Sequence, residues 1–162
     1  MKINNILVTY FSHSGNTREI ANQIKEKLDC DIFEIKTEKP YPIGYNECVK
    51  QAKQEHDEGY KPKLKTKVDN INQYNIIFIG YPMWWYTIPM PVATFLTEYD
   101  FSGKTIIPFC THGGGGLSNS VDDIKKFCPQ SIVEKALVIK GSDVKNAQKE
   151  VSEWLHKFDI IK

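Results

Sequence analysis

The strongest restriction on the fold of this chain is an alternation of short apolar runs with amphipathic segments along its 162 residues. Runs such as Ile-Leu-Val-Thr-Tyr lack the polar alternation of a half-exposed strand and are typical of strands buried on both faces of a sheet. Because parallel strands need long crossovers, which are usually helices, the alternation predicts a doubly wound α/β domain. The predicted strands cover residues 3–10, 31–36, 75–81, 104–110 and 132–139.

Apolar residues recur at helical spacing in the segments between these strands. Ile20, Ala21, Ile24 and Leu28 predict the first helix, with charged residues on its opposite side. The other predicted helices carry Tyr45, Val49, Ala52 and His56; Val92, Phe95, Leu96 and Tyr99; Val121, Ile124 and Phe127, capped by Ser118 or Ser120; and Val144, Ala147, Val151, Trp154, Leu155 and Phe158, capped by Ser142 or Asp143.

Composition excludes several classes of function. The chain has 21 Lys+Arg and 20 Asp+Glu, and this balance gives no support for nucleic-acid binding. The four cysteines lie far apart, so neither a disulfide framework nor a metal site is expected. No apolar run reaches the ~20 residues of a membrane span, and no signal peptide is recognisable. We expect a single domain over residues 1–162, located in the cytoplasm.

The first candidate loop lies between the first strand and the first helix. It contains Ser12, His13, Ser14, Gly15, Asn16 and Thr17. Hydroxyl donors, a glycine and the unpaired N–H groups of a helix N-terminus suit a phosphate. The loop lacks the spacing of a dinucleotide fingerprint or a P-loop. Ser and Asn also cap helices for structural reasons alone, so a simple helix cap is an equal alternative.

Two further loops follow the third and fourth strands. The first contains Pro82, Met83, Trp84 and Trp85, and the second contains Thr111, His112, Gly113, Gly114 and Gly115. We expect one tryptophan to pack beneath its loop and the other to face a planar ligand. The glycine run predicts close approach of the backbone to a ligand, with a flexible turn as the alternative. In a sheet of order 2-1-3-4-5 all three loops meet at one crevice, whereas the order 3-2-1-4-5 separates the last two.

Together these loops resemble those of the flavodoxin family, and Gly-Tyr-Pro-Met-Trp-Trp with Thr-His-Gly-Gly-Gly-Gly resembles a flavodoxin-like subgroup common in bacteria. The resemblance implies a three-layer α/β/α sandwich of the short-chain type, with a five-stranded parallel sheet of order 2-1-3-4-5. It also implies FMN as the cofactor. The loop at 12–17 would hold the phosphate, residues 82–85 and 111–115 would flank the isoalloxazine, and Cys110 would lie just behind it.

The resemblance leaves two main functions open. The first is electron transfer with redox partner proteins or small electron acceptors. The second is an NAD(P)H-dependent FMN oxidoreductase acting on quinones or similar acceptors, in which His13 or His112 assists proton transfer. A flavin-binding module without turnover is a third class. The flavin loops contain no Asp or Glu, which predicts a comparatively high potential, and the glycine loop has no aromatic residue to cover the second face of the ring.

Overall fold

The computed structural model describes residues 5–158 and 160, so predicted strand residues 3 and 4 lie outside the described residues. A single domain over residues 1–162 stays a prediction. The strands are β1 (Ile6–Tyr10), β2 (Asp31–Glu34), β3 (Ile76–Pro82), β4 (Thr105–His112), β5 (Ile132–Val133) and β6 (Leu137–Lys140). The helices are α1 (Asn16–Leu28), α2 (Tyr45–Glu58), α3 (Met90–Glu98), α4 (Ser120–Phe127) and α5 (Gln148–His156). Short 3-10 segments occupy Ile71–Gln73 and Gly141–Asn146.

Helices cover both faces of a parallel sheet. The strands follow the order β2-β1-β3-β4-β5, and β6 also pairs with β4. On one face α1 and α5 pack with Val8 and Phe78, and on the other α2, α3 and α4 pack with Leu7 and Ile77. This arrangement confirms the predicted three-layer sandwich and strand order. Among the described residues, no helix has the length and apolarity needed to cross a bilayer.

The fifth position of the sheet holds two segments, so the prediction of one continuous strand is wrong. Ile106 pairs with Val133 and Phe109 with Leu137, which leaves one extra residue in the fifth strand between these pairs. The carbonyl of Ile106 accepts a hydrogen bond from the N–H of Glu134 at 2.9 Å. Alternate residues of a strand direct their backbone groups to the same side, so the backbone of Pro108 also faces the fifth position of the sheet. Because proline has no N–H to donate, the ladder is interrupted opposite Pro108.

The helix predicted from Tyr45, Val49, Ala52 and His56 is present as α2, but its buried face is not made of these four residues. Tyr45 is 80% exposed and His56 is exposed as well. The helix instead buries Cys48, Ala52 and Glu55.

A buried carboxylate explains this rotation of α2. The Tyr41 hydroxyl donates to Glu55 Oε1 at 2.5 Å, and Gln51 Nε2 donates to Glu55 Oε2 at 3.2 Å. Hydrogen bonds of this kind allow an acidic side chain to lie inside a protein. Because the buried face of α2 includes an acidic residue, apolar periodicity alone does not identify that face.

The last helix begins later than predicted. The predicted cap at Ser142 or Asp143 is wrong, because these residues lie in a 3-10 segment and Ala147 is the N-cap of α5. Gln23 Nε2 donates to the carbonyl of Val144 at 2.8 Å. This bond from α1 occupies a carbonyl that an α-helix starting earlier would use for its own ladder.

The start of α4 differs as well. Its N-cap is Asn119, so neither Ser118 nor Ser120 is the cap. The Ser120 hydroxyl donates to the carbonyl of Leu117 at 2.7 Å and accepts from the Tyr81 hydroxyl at 2.9 Å. Ser120 therefore ties α4 to the end of β3.

Gly80 allows the side chain of a neighbouring strand to pack directly against its backbone. A Cβ atom built on Gly80 would lie 2.1 Å from Cζ of Phe109, its partner on β4. We expect Gly80→Ala to lower the free energy of unfolding by ~1–3 kcal/mol through overpacking, measured by urea denaturation. Adding Phe109→Leu removes the ring, so the two changes together should cost less than their sum. Equal stability of Gly80→Ala and the wild type would contradict this contact.

Candidate functional site

The loop between β1 and α1 is shaped by its own side chains. Ser12 Oγ accepts the backbone N–H of Gly15 at 3.1 Å and that of Arg18 at 3.3 Å. Gly15 is the N-cap of α1 and has φ of +99°, a conformation that favours glycine. The amides of Asn16 and Thr17 belong to the first helical turn, whose N–H groups have no intrahelical partner. The loop therefore presents backbone donors at the positive end of α1.

Thr17 joins the first loop to the end of β4. Its buried hydroxyl is 2.8 Å from that of Thr111, and one of the two donates to the other. His13 lies on the exposed side of the loop, and its Nε2 donates to the carbonyl of Pro42 at 2.9 Å. Thr17 and His13 thus hold the loop against its neighbours, whereas Ser14 and Asn16 remain directed to the cavity described below.

The aromatic loop after β3 contains a tight two-residue turn. Trp84 and Thr87 exchange backbone hydrogen bonds of 3.2 Å in both directions. The residues between them, Trp85 and Tyr86, have φ of +52° and +66°. Positive φ at both central positions is the geometry of a type I′ turn, which usually contains Asn or Gly. Two large aromatic residues in this conformation mark a strained segment.

Contacts to α4 hold this turn in place. Asn119 N donates to the carbonyl of Tyr86 at 2.9 Å, and the Thr87 hydroxyl donates to the carboxylate of Asp123. Met83 N donates to the carbonyl of Thr111 at 2.8 Å, which continues the β3–β4 ladder into the loops. The aromatic loop is consequently attached to both the sheet and α4.

The two tryptophans have different surroundings. The Trp84 ring meets Phe11 at 5.3 Å and Tyr41 at 5.1 Å between centroids, both edge to face, and belongs to the border of the core. Trp85 instead lies on α2, where its Nε1 donates to the carbonyl of Val49 at 3.1 Å. The ammonium of Lys53 is 5.3 Å from the Trp85 ring centroid. Both indoles are half-buried and border the cavity.

The glycine loop after β4 leaves room above the sheet. Gly113, Gly114 and Gly116 have no heavy atom within 4 Å of the place where a Cβ would lie. Gly114 has φ of +146°, and its N–H donates to Nδ1 of His112 at 2.9 Å. In neutral His112 the proton therefore resides on Nε2, which is the ring atom left to donate.

These loops enclose one cavity of about 710 Å³ at the carboxyl end of the sheet. Such a volume is ample for a cofactor. The predicted site residues that line it are His13, Ser14, Asn16, Pro82, Met83, Trp84, Trp85, Thr111, His112, Gly113, Gly114 and Gly115. Ser12, Gly15 and Thr17 do not line it and instead shape the first loop.

Sequence reasoning missed two walls of the cavity. One comes from α2 and the other from the end of β6, with Tyr86 and Ser118 completing the rim. The missed residues are Tyr45, Cys48, Val49, Ala52, Tyr86, Ser118, Lys140, Gly141 and Ser142. The β6 wall had a usable signal, because ligands in open α/β sheets bind beyond the carboxyl ends of strands. The α2 wall had no such signal in the sequence, because its position depends on how the long connection between β2 and β3 folds back over the sheet.

The chemistry of the lining is neutral to basic. Lys140 is the one formally charged residue among the described residues that line the cavity. Cys110 does not line the cavity, and burial raises the pKa of its thiol to about 12, so this side chain stays protonated at neutral pH. No cluster of metal-ligating side chains occurs within residues 5–158 and 160. The cavity thus offers hydrogen-bond donors, aromatic rings and open backbone, which suit binding of an anionic planar ligand.

Solved structures with this fold include several flavoproteins. A Bacteroides uniformis ATCC 8492 protein assigned as a flavoprotein is 29% identical over 94% of this chain and 98% of its own, with a TM-score of 0.84. A similar protein from Bacteroides eggerthii DSM 20697 is 28% identical over 92% of this chain and 98% of its own, with a TM-score of 0.77. A flavoprotein from Lactobacillus acidophilus NCFM, solved in complex with FMN, is 21% identical over 88% and 97%, with a TM-score of 0.74.

A search of curated proteins gave no significant match. The family model described as Flavodoxin matches residues 5–158, which include every strand and helix of the described structure. The match covers the loops after β1, β3 and β4 together with the cavity that they enclose. From its sequence, its strand order and this family match, the chain belongs to the flavodoxin family.

Proposed function

We propose that this protein binds FMN in the cavity and carries electrons between redox partner proteins or small acceptors. The observation that carries the proposal is the convergence of the loops after β1, β3 and β4 on one cavity of about 710 Å³. The Lactobacillus acidophilus flavoprotein, which has the same fold and was solved with FMN, supports the choice of cofactor.

The lining fits the parts of FMN. Ser14 and Asn16 lie at the N-terminus of α1, where backbone N–H groups and the helix dipole favour a phosphate. Trp84 and Trp85 supply aromatic surface for the ring, and the glycine loop leaves its backbone free to approach the ring edge. When bound, FMN supplies the redox chemistry, whereas the protein binds and orients it and tunes its electronics.

The hydrogen bonds of the two histidines favour a fixed polar role for these residues over proton transfer. His13 Nε2 is occupied by the Pro42 carbonyl at 2.9 Å. His112 Nδ1 is occupied by the Gly114 N–H at 2.9 Å, which leaves Nε2–H to donate to a ligand. In this arrangement both rings act as fixed hydrogen-bonding groups, which suits an electron carrier.

An NAD(P)H-dependent FMN oxidoreductase acting on quinones or similar acceptors is the second candidate. Gly113, Gly114 and Gly115 are exposed, and no aromatic residue of the glycine loop covers the cavity from this side. A planar second substrate would have access there. Direct reduction by NAD(P)H distinguishes this candidate from a carrier that accepts electrons only from a protein.

Stepwise anaerobic reduction of the FMN-loaded protein tests the proposed function. We expect a long-wavelength absorbing species to accumulate midway through a dithionite titration, because an electron carrier separates the two one-electron steps. NADH and NADPH should reduce the bound flavin much more slowly than dithionite does. Direct passage to the fully reduced spectrum, with rapid reduction by NAD(P)H, would favour the oxidoreductase. Failure of the protein to bind FMN would overturn both candidates.

Separate alanine substitutions of the two tryptophans should have different effects. Trp84→Ala removes contacts with Phe11 and Tyr41, so we expect the apoprotein to lose ~2–4 kcal/mol of unfolding free energy. Trp85→Ala should cost less stability and weaken FMN binding by ~3–10-fold, the value of one aromatic contact. Urea denaturation and quenching of flavin fluorescence measure the two effects.

Phenylalanine variants provide the control for this comparison. Trp85→Phe keeps an aromatic ring and should retain most of the affinity for FMN, although it loses the hydrogen bond to the Val49 carbonyl. If FMN affinity depends on Trp84 and not on Trp85, the assignment of the two rings is reversed. If neither alanine variant changes FMN affinity, stacking by this loop is wrong.

A further inference from the structure

Lys140 gives the cavity a positive charge that no lining carboxylate offsets. It ends β6 and pairs in register with His112, the last residue of β4. Residues paired in this way on neighbouring strands share a face of the sheet. The two side chains therefore stand next to each other at the carboxyl edge of the sheet, where both line the cavity.

The backbone around Lys140 is tightly positioned. A Cβ on the next residue, Gly141, would lie 2.8 Å from Nδ2 of Asn16 and 3.6 Å from the carbonyl oxygen of His112. Gly141 therefore packs directly between the start of α1 and the end of β4. This contact fixes the position from which the Lys140 side chain extends.

The surroundings of Lys140 leave its charge uncompensated. Within the described part of the chain, no carboxylate lies within ion-pair distance of its ammonium. The neighbouring His112 contributes a further donor, because its Nε2 carries the proton of the neutral ring. A cation and an N–H donor at this edge create a potential that favours negative charge in the cavity.

We propose that Lys140 stabilises the negative charge that the flavin gains on reduction and thereby raises its midpoint potential. This inference rests on the proposed function. Taking up two electrons from an external reductant and one proton from solvent adds one negative charge to the flavin. A positively charged side chain that lines the same cavity favours this product over the oxidised form.

The test is a potentiometric titration of FMN-loaded wild type and Lys140→Gln at pH 7 and low salt, with dithionite as the reductant and a reference dye. We expect the variant to favour overall reduction about threefold to tenfold less, a fall of about 15–30 mV in the two-electron midpoint, which is the mean of the two one-electron midpoints. Because Lys140 is exposed, added salt should screen its charge and lower the wild-type midpoint towards that of the variant.

Two matched variants complete the experiment. Lys145→Gln removes the same charge from an exposed lysine outside the cavity lining and should leave the midpoint unchanged. Lys140→Arg keeps the charge and should restore the wild-type midpoint. Equal midpoints for wild type and Lys140→Gln, or equal shifts for Lys140→Gln and Lys145→Gln, would overturn the inference while leaving FMN binding intact. If the wild type itself fails to bind FMN, the proposed function fails instead.

Discussion

Parallel pairing of β1, β3 and β4 is the constraint on which the rest of the structure depends. Tyr10 pairs with Gly80 and Gly80 pairs with Phe109, so the three strands reach the same edge of the sheet at the same level. Each loop that follows starts from this common edge. Gly80 leaves room for the Phe109 ring in this register, because a Cβ atom at position 80 would clash with that ring.

Hydrogen bonds between the loops extend the order of the sheet into the cavity. Phe11 N donates to the carbonyl of Gly80, and Met83 N donates to that of Thr111, so the ladder continues past the ends of the strands. The hydroxyls of Thr17 and Thr111 then join the first loop to the third. A cavity whose walls are bonded to one another is largely preformed, which lowers the entropic cost of ordering it around a ligand.

Apolar runs and loop chemistry are local signals, so the sequence could predict the strand order and the three loops that lie at the cavity. The remaining walls depend on tertiary structure. Glu55 is acidic yet faces the core through its bond with Tyr41, so the α2 face could not be read from apolar periodicity. Nothing in the sequence distinguishes Lys140 from the other lysines. Only its pairing with His112 in the folded sheet places it at the cavity. The break opposite Pro108 was readable in principle, since proline interrupts ladders.

The aromatic loop is strained, and contacts with two helices that are distant in the sequence hold it at the cavity. Left-handed conformations at Trp85 and Tyr86 cost roughly 1–2 kcal/mol each for residues with a Cβ. Three contacts offset this cost: the Trp85 indole with the Val49 carbonyl, Asn119 with the Tyr86 carbonyl, and Thr87 with Asp123. The first comes from α2 and the others from the start of α4. Packing of both helices against the loop therefore stabilises the aromatic wall of the cavity.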